Sequence, residues 1–76
     1  MTHTDLRLRA EGLDFWVDVH VHRFDGGWLA VADLAGEPEL GWADEAAGAV
    51  KMALAALGPV AQRRLFAVAQ QQLADR

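Results

Sequence analysis

The sequence contains no cysteine and no serine, and these two absences exclude whole classes of protein. Without cysteine the chain has no disulfide framework, no thiolate metal site and no thiol nucleophile. Its only hydroxyl side chains are those of Thr2 and Thr4, close to the N-terminus. No Ser/His/Asp or Cys/His arrangement is available for nucleophilic catalysis, so we expect a non-enzymatic protein without a cofactor.

Long apolar runs and an excess of positive charge are also missing. No apolar run is long enough to cross a membrane, and Met1 to Asp5 lack the basic and apolar regions of a signal peptide. These features predict a soluble, cytoplasmic protein that does not bind membranes. The net charge of -4 gives no general attraction to phosphate backbones and disfavours nucleic-acid binding, although Arg63 and Arg64 could form a local basic patch.

The short length predicts one domain, residues 1–76, with a small core. A chain of this size buries only about 60% of the surface that its unfolded form exposes. Because no disulfide can reinforce such a core, association with another chain is the simplest further source of stability. We therefore expect a homo-oligomer, in its simplest form a dimer.

The segment from Phe15 to His22 alternates strictly between apolar and other residues, apart from Trp16. Successive side chains of a strand point to opposite faces, so this pattern predicts a strand with one buried face. The expected core face carries Phe15, Val17, Val19 and Val21. The opposite face carries Trp16, Asp18, His20 and His22.

The first hairpin is predicted at Glu11-Gly12, between the alternating residues Leu6 to Ala10 and the strand that follows. Glycine accepts the positive φ that a two-residue turn needs. This turn places Ala10 opposite Leu13, Leu8 opposite Phe15, Arg7 opposite Trp16 and His3 opposite His20.

The second hairpin is predicted at Asp25-Gly26-Gly27, as a three-residue loop. Only this loop length places Leu29 and Val31 on the face of the preceding valines. Trp28, Ala30 and Ala32 then lie on the opposite face.

The C-terminal half changes to the period of a helix. Asp33 to Pro38 is predicted to be a loop, because glycine and proline interrupt the alternation, and Glu39 to Trp42 a short edge strand. From Ala43 onward apolar residues recur at helical spacing, and Gly58-Pro59 ends one helix and begins a second. The expected fold is α+β: a three- to four-stranded antiparallel β-meander followed by two helices, at least one of them packed on one face of the sheet.

Asp18, His20 and His22 form the candidate metal site of the sequence, with His3 as a cross-strand fourth ligand. Residues two apart on a strand point the same way, about 6.5 to 7 Å apart, and two imidazoles can rotate onto one zinc or copper ion. The alternative is that these are ordinary polar side chains on the less buried face. Zinc binding, and its loss in His20→Ala, distinguishes the two interpretations.

The same face is predicted to carry an exposed aromatic surface of Trp16, Phe24 and Trp28, with Arg7 and Arg9 beside it. Monomers seldom leave such patches uncovered, and aromatic residues are preferred anchors of protein interfaces. The expected cover is a second chain, and the alternative is the second helix folded back across the sheet. RNA bases stacked on these aromatics are a further alternative, which the acidic net charge disfavours.

The second glycine turn begins a longer pattern. Asp25-Gly26-Gly27-Trp28-Leu29-Ala30 is followed by Asp33-Leu34-Ala35-Gly36 and by the helix residues Asp44-Glu45-Ala46 and Val50-Lys51. In these residues the chain resembles the HicB-like antitoxin family, over Val17 to Leu57. The resemblance implies a β-meander with a helix on one face that binds a small toxin ribonuclease. A small basic toxin is therefore the expected partner of this acidic chain.

Overall fold

The computed structural model describes residues 3–75 and shows a four-stranded sheet followed by two helices. The strands are β1 (His3–Leu8), β2 (Val17–Phe24), β3 (Gly27–Leu34) and β4 (Glu37–Ala43). The helices are α1 (Ala46–Ala53) and α2 (Pro59–Ala74), separated by a 3₁₀ turn at Ala55–Leu57. The sheet order is β1-β2-β3-β4 and every neighbouring pair is antiparallel, which confirms the predicted α+β fold. Met1, Thr2 and Arg76 lie outside the described residues, and with them one of the two hydroxyl side chains.

Both helices pack on one face of the sheet, which we call the helix-covered face. Helix α1 lies against β2, β3 and β4, and α2 lies against α1 and β1. Alternate strand side chains and the inner stripes of the helices form a single core. The sheet contributes Leu6, Leu8, Val17, Val19, Val21, Ala30 and Ala32. The helices contribute Ala49, Val50, Ala53, Leu65 and Ala69, and Leu54, directly after α1, is buried with them.

Small residues allow α1 to approach the sheet closely. Gly41 of β4 lies under the helix, and a Cβ atom at this position would stand 2.5 Å from the backbone nitrogen of Ala53 and collide with the carbonyl oxygen of Ala49. Ala30 and Ala32 of β3 are fully buried in the same core. The short side chains at these positions set the distance between helix and sheet.

The turn between β2 and β3 contains two residues, Asp25 and Gly26, so the predicted three-residue loop is wrong. Phe24 already pairs with Gly27 across this turn. The φ angles are positive at both turn residues, 52° at Asp25 and 80° at Gly26. A type I′ hairpin turn requires this conformation, and its twist matches that of the strands it joins.

The shorter turn exchanges the two faces of β3, because strand side chains alternate with a period of two residues. Trp28, Ala30 and Ala32 lie on the helix-covered face rather than on the opposite one. Leu29 and Val31 lie on the face that the helices leave open. The predicted faces of all five residues are therefore wrong.

The predicted turn at Glu11-Gly12 is present, since the N–H of Leu13 donates to the carbonyl oxygen of Ala10 at 3.1 Å and Gly12 has a φ of 86°. The strands do not reach this turn, because Leu8 pairs with Val17 and residues 9–16 form a loop. The register differs from the predicted one by two residues, so each strand residue keeps its face but changes its partner. Asp5 pairs with His20, whereas the predicted register would place it opposite Asp18. Like charges in directly opposed positions are unfavourable, which favours the observed register.

The predicted pairs Leu8–Phe15, Arg7–Trp16 and His3–His20 are consequently wrong, and so is the predicted core position of Phe15. Phe15 precedes β2 and is exposed instead of belonging to the core. His3 pairs with His22 rather than with His20.

The segment Asp33 to Pro38 is a tight hairpin rather than the predicted loop. Strand β3 ends at Leu34, and β4 begins at Glu37. The turn between them consists of Ala35 and Gly36, with φ angles of 54° and 86°. The backbone N–H of Gly36 donates to Oδ1 of Asp33 at 3.1 Å. The predicted edge strand is thus confirmed, but it is longer than Glu39 to Trp42.

The two predicted helices are confirmed, with Pro59 as the first residue of α2 and Gly58 before it at φ 91°. The first helix ends earlier than predicted, because α1 stops at Ala53 and a 3₁₀ turn precedes Gly58. Because α2 packs beside α1 on the helix-covered face, it does not fold across the other side of the sheet. None of the helices in residues 3–75 is long and apolar enough to span a membrane.

Candidate functional site

The face opposite the helices, which we call the open face, is the candidate functional surface. Alternation along the strands places every second side chain on it. Strands β1 and β2 present mostly charged and imidazole groups, whereas β3 and β4 present mostly apolar groups. The outward residues are His3, Asp5, Arg7, Asp18, His20, His22, Phe24, Leu29, Val31, Asp33, Pro38, Leu40 and Trp42.

Five of these side chains form an apolar patch: Phe24, Leu29, Val31, Leu40 and Trp42. Val31 lies directly opposite Leu40, and Leu29 lies directly opposite Trp42. The rings of Phe24 and Trp42 meet edge to face, with centroids 6.1 Å apart. Leu40 is 64% exposed, Phe24 59% and Trp42 40%, so the patch is accessible to another molecule.

A missing side chain at Gly27 shapes this patch. A Cβ atom at Gly27 would lie 2.6 Å from the indole ring of Trp42. The indole therefore lies over the backbone at the start of β3, from where it reaches Phe24. Glycine at position 27 thus makes room for the indole of Trp42, and it is not needed there for an unusual backbone conformation.

The part of the chain that carries the patch is strongly acidic. Residues 24–50 contain six acidic residues and no lysine, arginine or histidine. Asp33 lies on the open face itself, and Asp44 and Glu45 directly follow β4. The remaining members of this acidic group are Asp25, Glu37 and Glu39.

The predicted aromatic surface is only partly assembled. Phe24 belongs to the apolar patch, but Trp28 is half-buried on the helix-covered face, with the Arg23 guanidinium 5.6 Å from its ring centroid. Trp16 lies in the loop before β2, with Cζ of Arg7 4.8 Å and Cζ of Arg9 5.5 Å from its ring centroid. Three of the predicted interface residues, Trp16, Arg7 and Arg9, are therefore brought together away from the patch.

The sequence prediction missed four members of the patch: Leu29, Val31, Leu40 and Trp42. Leu29 and Val31 were assigned to the core because of the turn length. Leu40 and Trp42, two residues apart, carried the signal that could have identified them, since alternate apolar residues of a strand share one face.

The histidine half of the open face contains a cluster of His3, Asp5 and His20, which we call the His–Asp cluster. The Nδ1 atom of His20 lies 2.6 Å from Oδ1 of Asp5, and Nε2 of His3 lies 3.0 Å from the same oxygen. The hydrogen bond from His20 lowers the pKa of the Asp5 carboxyl below its ordinary value. Desolvation opposes this effect, and the charge of His3 adds to it.

Of the three predicted metal ligands, only His20 belongs to this cluster. Asp18 lies 3.7 Å from Nε of Arg7. His22 stacks on His3, with ring centroids 4.7 Å apart and an angle of 17° between the planes. The predicted fourth ligand, His3, does join His20, and the prediction missed Asp5.

The predicted basic patch of Arg63 and Arg64 is also exposed on α2. Arg64 Nη1 donates to the carbonyl oxygen of Glu11 at 3.4 Å, which connects α2 to the loop between β1 and β2. This contact gives Arg64 a structural role in joining two segments of the fold.

Comparison with protein-family models, curated proteins and solved structures finds no match to this chain. The open face is therefore the source of any proposal about function.

Proposed function

We propose that this chain is a non-enzymatic interaction module that binds a small basic protein through the apolar patch, in the manner of an antitoxin. The observation that carries the proposal is an accessible apolar patch on a segment whose only charged side chains are acidic. The apolar side chains and the acidic side chains of this segment support the proposal in different ways.

The apolar side chains supply the binding energy. Burial of aromatic and aliphatic side chains is the main favourable contribution to protein association. Phe24 and Trp42 already contact each other and present rigid rings, which lose little conformational entropy on binding. Among residues 3–75, Leu40 is the most exposed large apolar residue, and it lies opposite Val31 on the edge strand β4. Leu40 is accordingly expected to be a main contact of the interface.

The acidic side chains select the partner. Complementary charge accelerates association and excludes wrong partners. Six acidic residues between positions 24 and 50 attract a basic surface and repel a second copy of the same segment. The apolar patch is therefore assigned to a basic partner rather than to face-to-face pairing of two copies.

The resemblance to HicB-like antitoxins supports the same partner chemistry. The residues of that resemblance, Val17 to Leu57, include β2, β3, β4 and α1, and hence all five members of the patch. A ribonuclease needs a basic surface to hold its RNA substrate. An acidic and apolar face that occupies such a surface would compete with RNA, which is how a protein without catalytic groups can neutralise an enzyme.

The proposal is tested by co-purification, in which the full chain is recovered from its native cells together with any small basic protein that accompanies it. We expect the two chains to co-elute and Leu40→Asp to weaken the complex by at least about tenfold. Val60→Asp is the matched control, because it makes the same apolar-to-acidic change away from the patch. Val60 lies on α2 and is 52% exposed.

Two results would contradict the proposal. One is a complex that both variants leave unchanged, since the patch would then not be the binding surface. The other is a homodimer of the isolated chain, detected by size-exclusion chromatography with light scattering, that Leu40→Asp converts to a monomer. In that case a second copy of this chain occupies the patch.

A further inference from the structure

We propose that His3, Asp5 and His20 bind one divalent transition-metal ion, with Zn²⁺ as the ion that fits these ligands. This site lies on β1 and β2 and does not depend on the function proposed for the apolar patch. Its ligand atoms are Nε2 of His3, Oδ1 of Asp5 and Nδ1 of His20, which all lie within 4.8 Å of one another.

The ligand chemistry favours a transition metal over a hard cation. Two imidazole nitrogens and one carboxylate oxygen form a donor set that zinc, copper and nickel prefer, whereas magnesium and calcium prefer oxygen ligands alone. The remaining coordination position is open to water, because the cluster is exposed. On binding, a proton held by either ligating nitrogen leaves to solvent as the metal–nitrogen bond forms.

The observed distances require only small movements of the side chains. Bonds of 2.0 to 2.1 Å in a tetrahedral zinc site place neighbouring ligand atoms about 3.3 Å apart. The nitrogens of His3 and His20 lie 3.0 Å and 2.6 Å from the carboxylate oxygen, so they must move outward by about 0.3 Å and about 0.7 Å. Both imidazoles already hold a nitrogen beside the same oxygen, and rotation about their side-chain bonds turns these nitrogens from the oxygen toward a shared ion.

The strand pairing holds the three side chains in position. Asp5 lies directly opposite His20, and His3 lies two residues from Asp5 on the same face of β1. The imidazole of His22, directly opposite His3, stacks on it and restrains the plane of its ring. Restraint of a ligating imidazole by a neighbouring group is a common feature of protein metal sites.

The decisive experiment is a zinc titration of the full chain, without a histidine tag, in competition with a chromogenic chelator at neutral pH. We expect one zinc ion per chain, and a loss of at least about tenfold in affinity in each of His3→Ala, Asp5→Asn and His20→Ala. Asp18→Asn is the matched control, because it makes the same change on the same face next to Arg7. It is expected to retain the affinity of the unmodified chain.

A second comparison separates this site from the one that the sequence predicts. His22→Ala removes the same type of side chain as His20→Ala, and we expect it to weaken zinc binding less. Absence of zinc binding by the unmodified chain overturns the proposal. Zinc binding that survives Asp5→Asn but is lost in Asp18→Asn and His22→Ala also overturns it, because the ligands would then be Asp18, His20 and His22.

Discussion

Ala30 lies directly opposite Val21 in the β2–β3 pair, and both side chains are fully buried against the helices. This pairing depends on a turn of only two residues between the strands. With one residue more, Ala30 would face solvent, and Leu29 and Val31 would lie under α1, where the close approach of the helix favours short side chains.

The conformation of this turn is testable through Gly26, whose φ is 80° and whose surroundings are empty within 4 Å of an added Cβ. We expect Gly26→Ala to lower the free energy of unfolding by about 1 kcal/mol, because only the left-handed backbone opposes the substitution. Chemical denaturation measures this change. Asp25→Asn serves as the control and should leave stability nearly unchanged, because asparagine tolerates positive φ.

The turn between β3 and β4 offers a stabilising substitution. Ala35 has a φ of 54°, a conformation that alanine adopts at a cost, and it is followed by Gly36. Ala35→Asn creates the Asn-Gly pair that type I′ turns prefer, so we expect a gain of about 0.5 to 1 kcal/mol in thermal or chemical denaturation. Ala35→Val should have the opposite effect, because a β-branched residue fits positive φ poorly. A loss of stability in Ala35→Asn would contradict this account of the turn.

The close contact between β4 and α1 predicts a large effect at Gly41. A methyl group there would lie 2.9 Å from Cβ of Met52 and 2.5 Å from the backbone nitrogen of Ala53. We expect Gly41→Ala to destabilise the fold by about 1 to 3 kcal/mol or more, since the helix must move away from the sheet. The neighbouring Leu40→Ala, at an exposed position, should change stability by no more than about 0.5 kcal/mol. Equal effects of the two substitutions would show that the helix does not pack as described.

The contact between Asp5 and His20 predicts a specific dependence of stability on pH. Because the hydrogen bond from His20 lowers the pKa of Asp5 in the folded chain, the carboxylate contributes stability that is present above its ordinary pKa of 3.8. That contribution is lost as the pH falls through the lower pKa of the folded state. The stability difference between the unmodified chain and Asp5→Asn, measured by denaturation with a chelator present, should therefore shrink in strong acid. A difference that grows there would contradict this assignment.

Alternation alone predicts which side chains of β2 lie on the open face, but it does not predict those of β3. Asp18, His20, His22 and Phe24 have the predicted orientation because the strand pattern between Phe15 and His22 is clear. Trp28 was assigned to the wrong face because the two possible loop lengths at Asp25 to Gly27 are both compatible with glycine. The volume available under α1 decides between the two loop lengths, and this volume depends on residues far away in the sequence.

The sequence predicts only part of the His–Asp cluster, because the register between β1 and β2 decides its members. His3 and His20 were expected to be close, but Asp5 was not expected to join them. A register in which Asp5 faces His20 and Arg7 faces Asp18 satisfies both charged pairs at once. Charge complementarity across the first hairpin is therefore the signal that could have identified the cluster.

The alternating strands, the helical stripe after Ala43 and the start of α2 at Pro59 can be read from the sequence, because these features depend on local periodicity and backbone conformation. Which strand residues meet depends instead on packing between distant segments. A strand pattern repeats every two residues, so a register displaced by two residues leaves the pattern intact and one displaced by a single residue exchanges its faces. Packing of α1 against Gly41, Ala30 and Ala32 selects one register between β2 and β3, and thereby turns Leu29 and Val31 outward into the apolar patch.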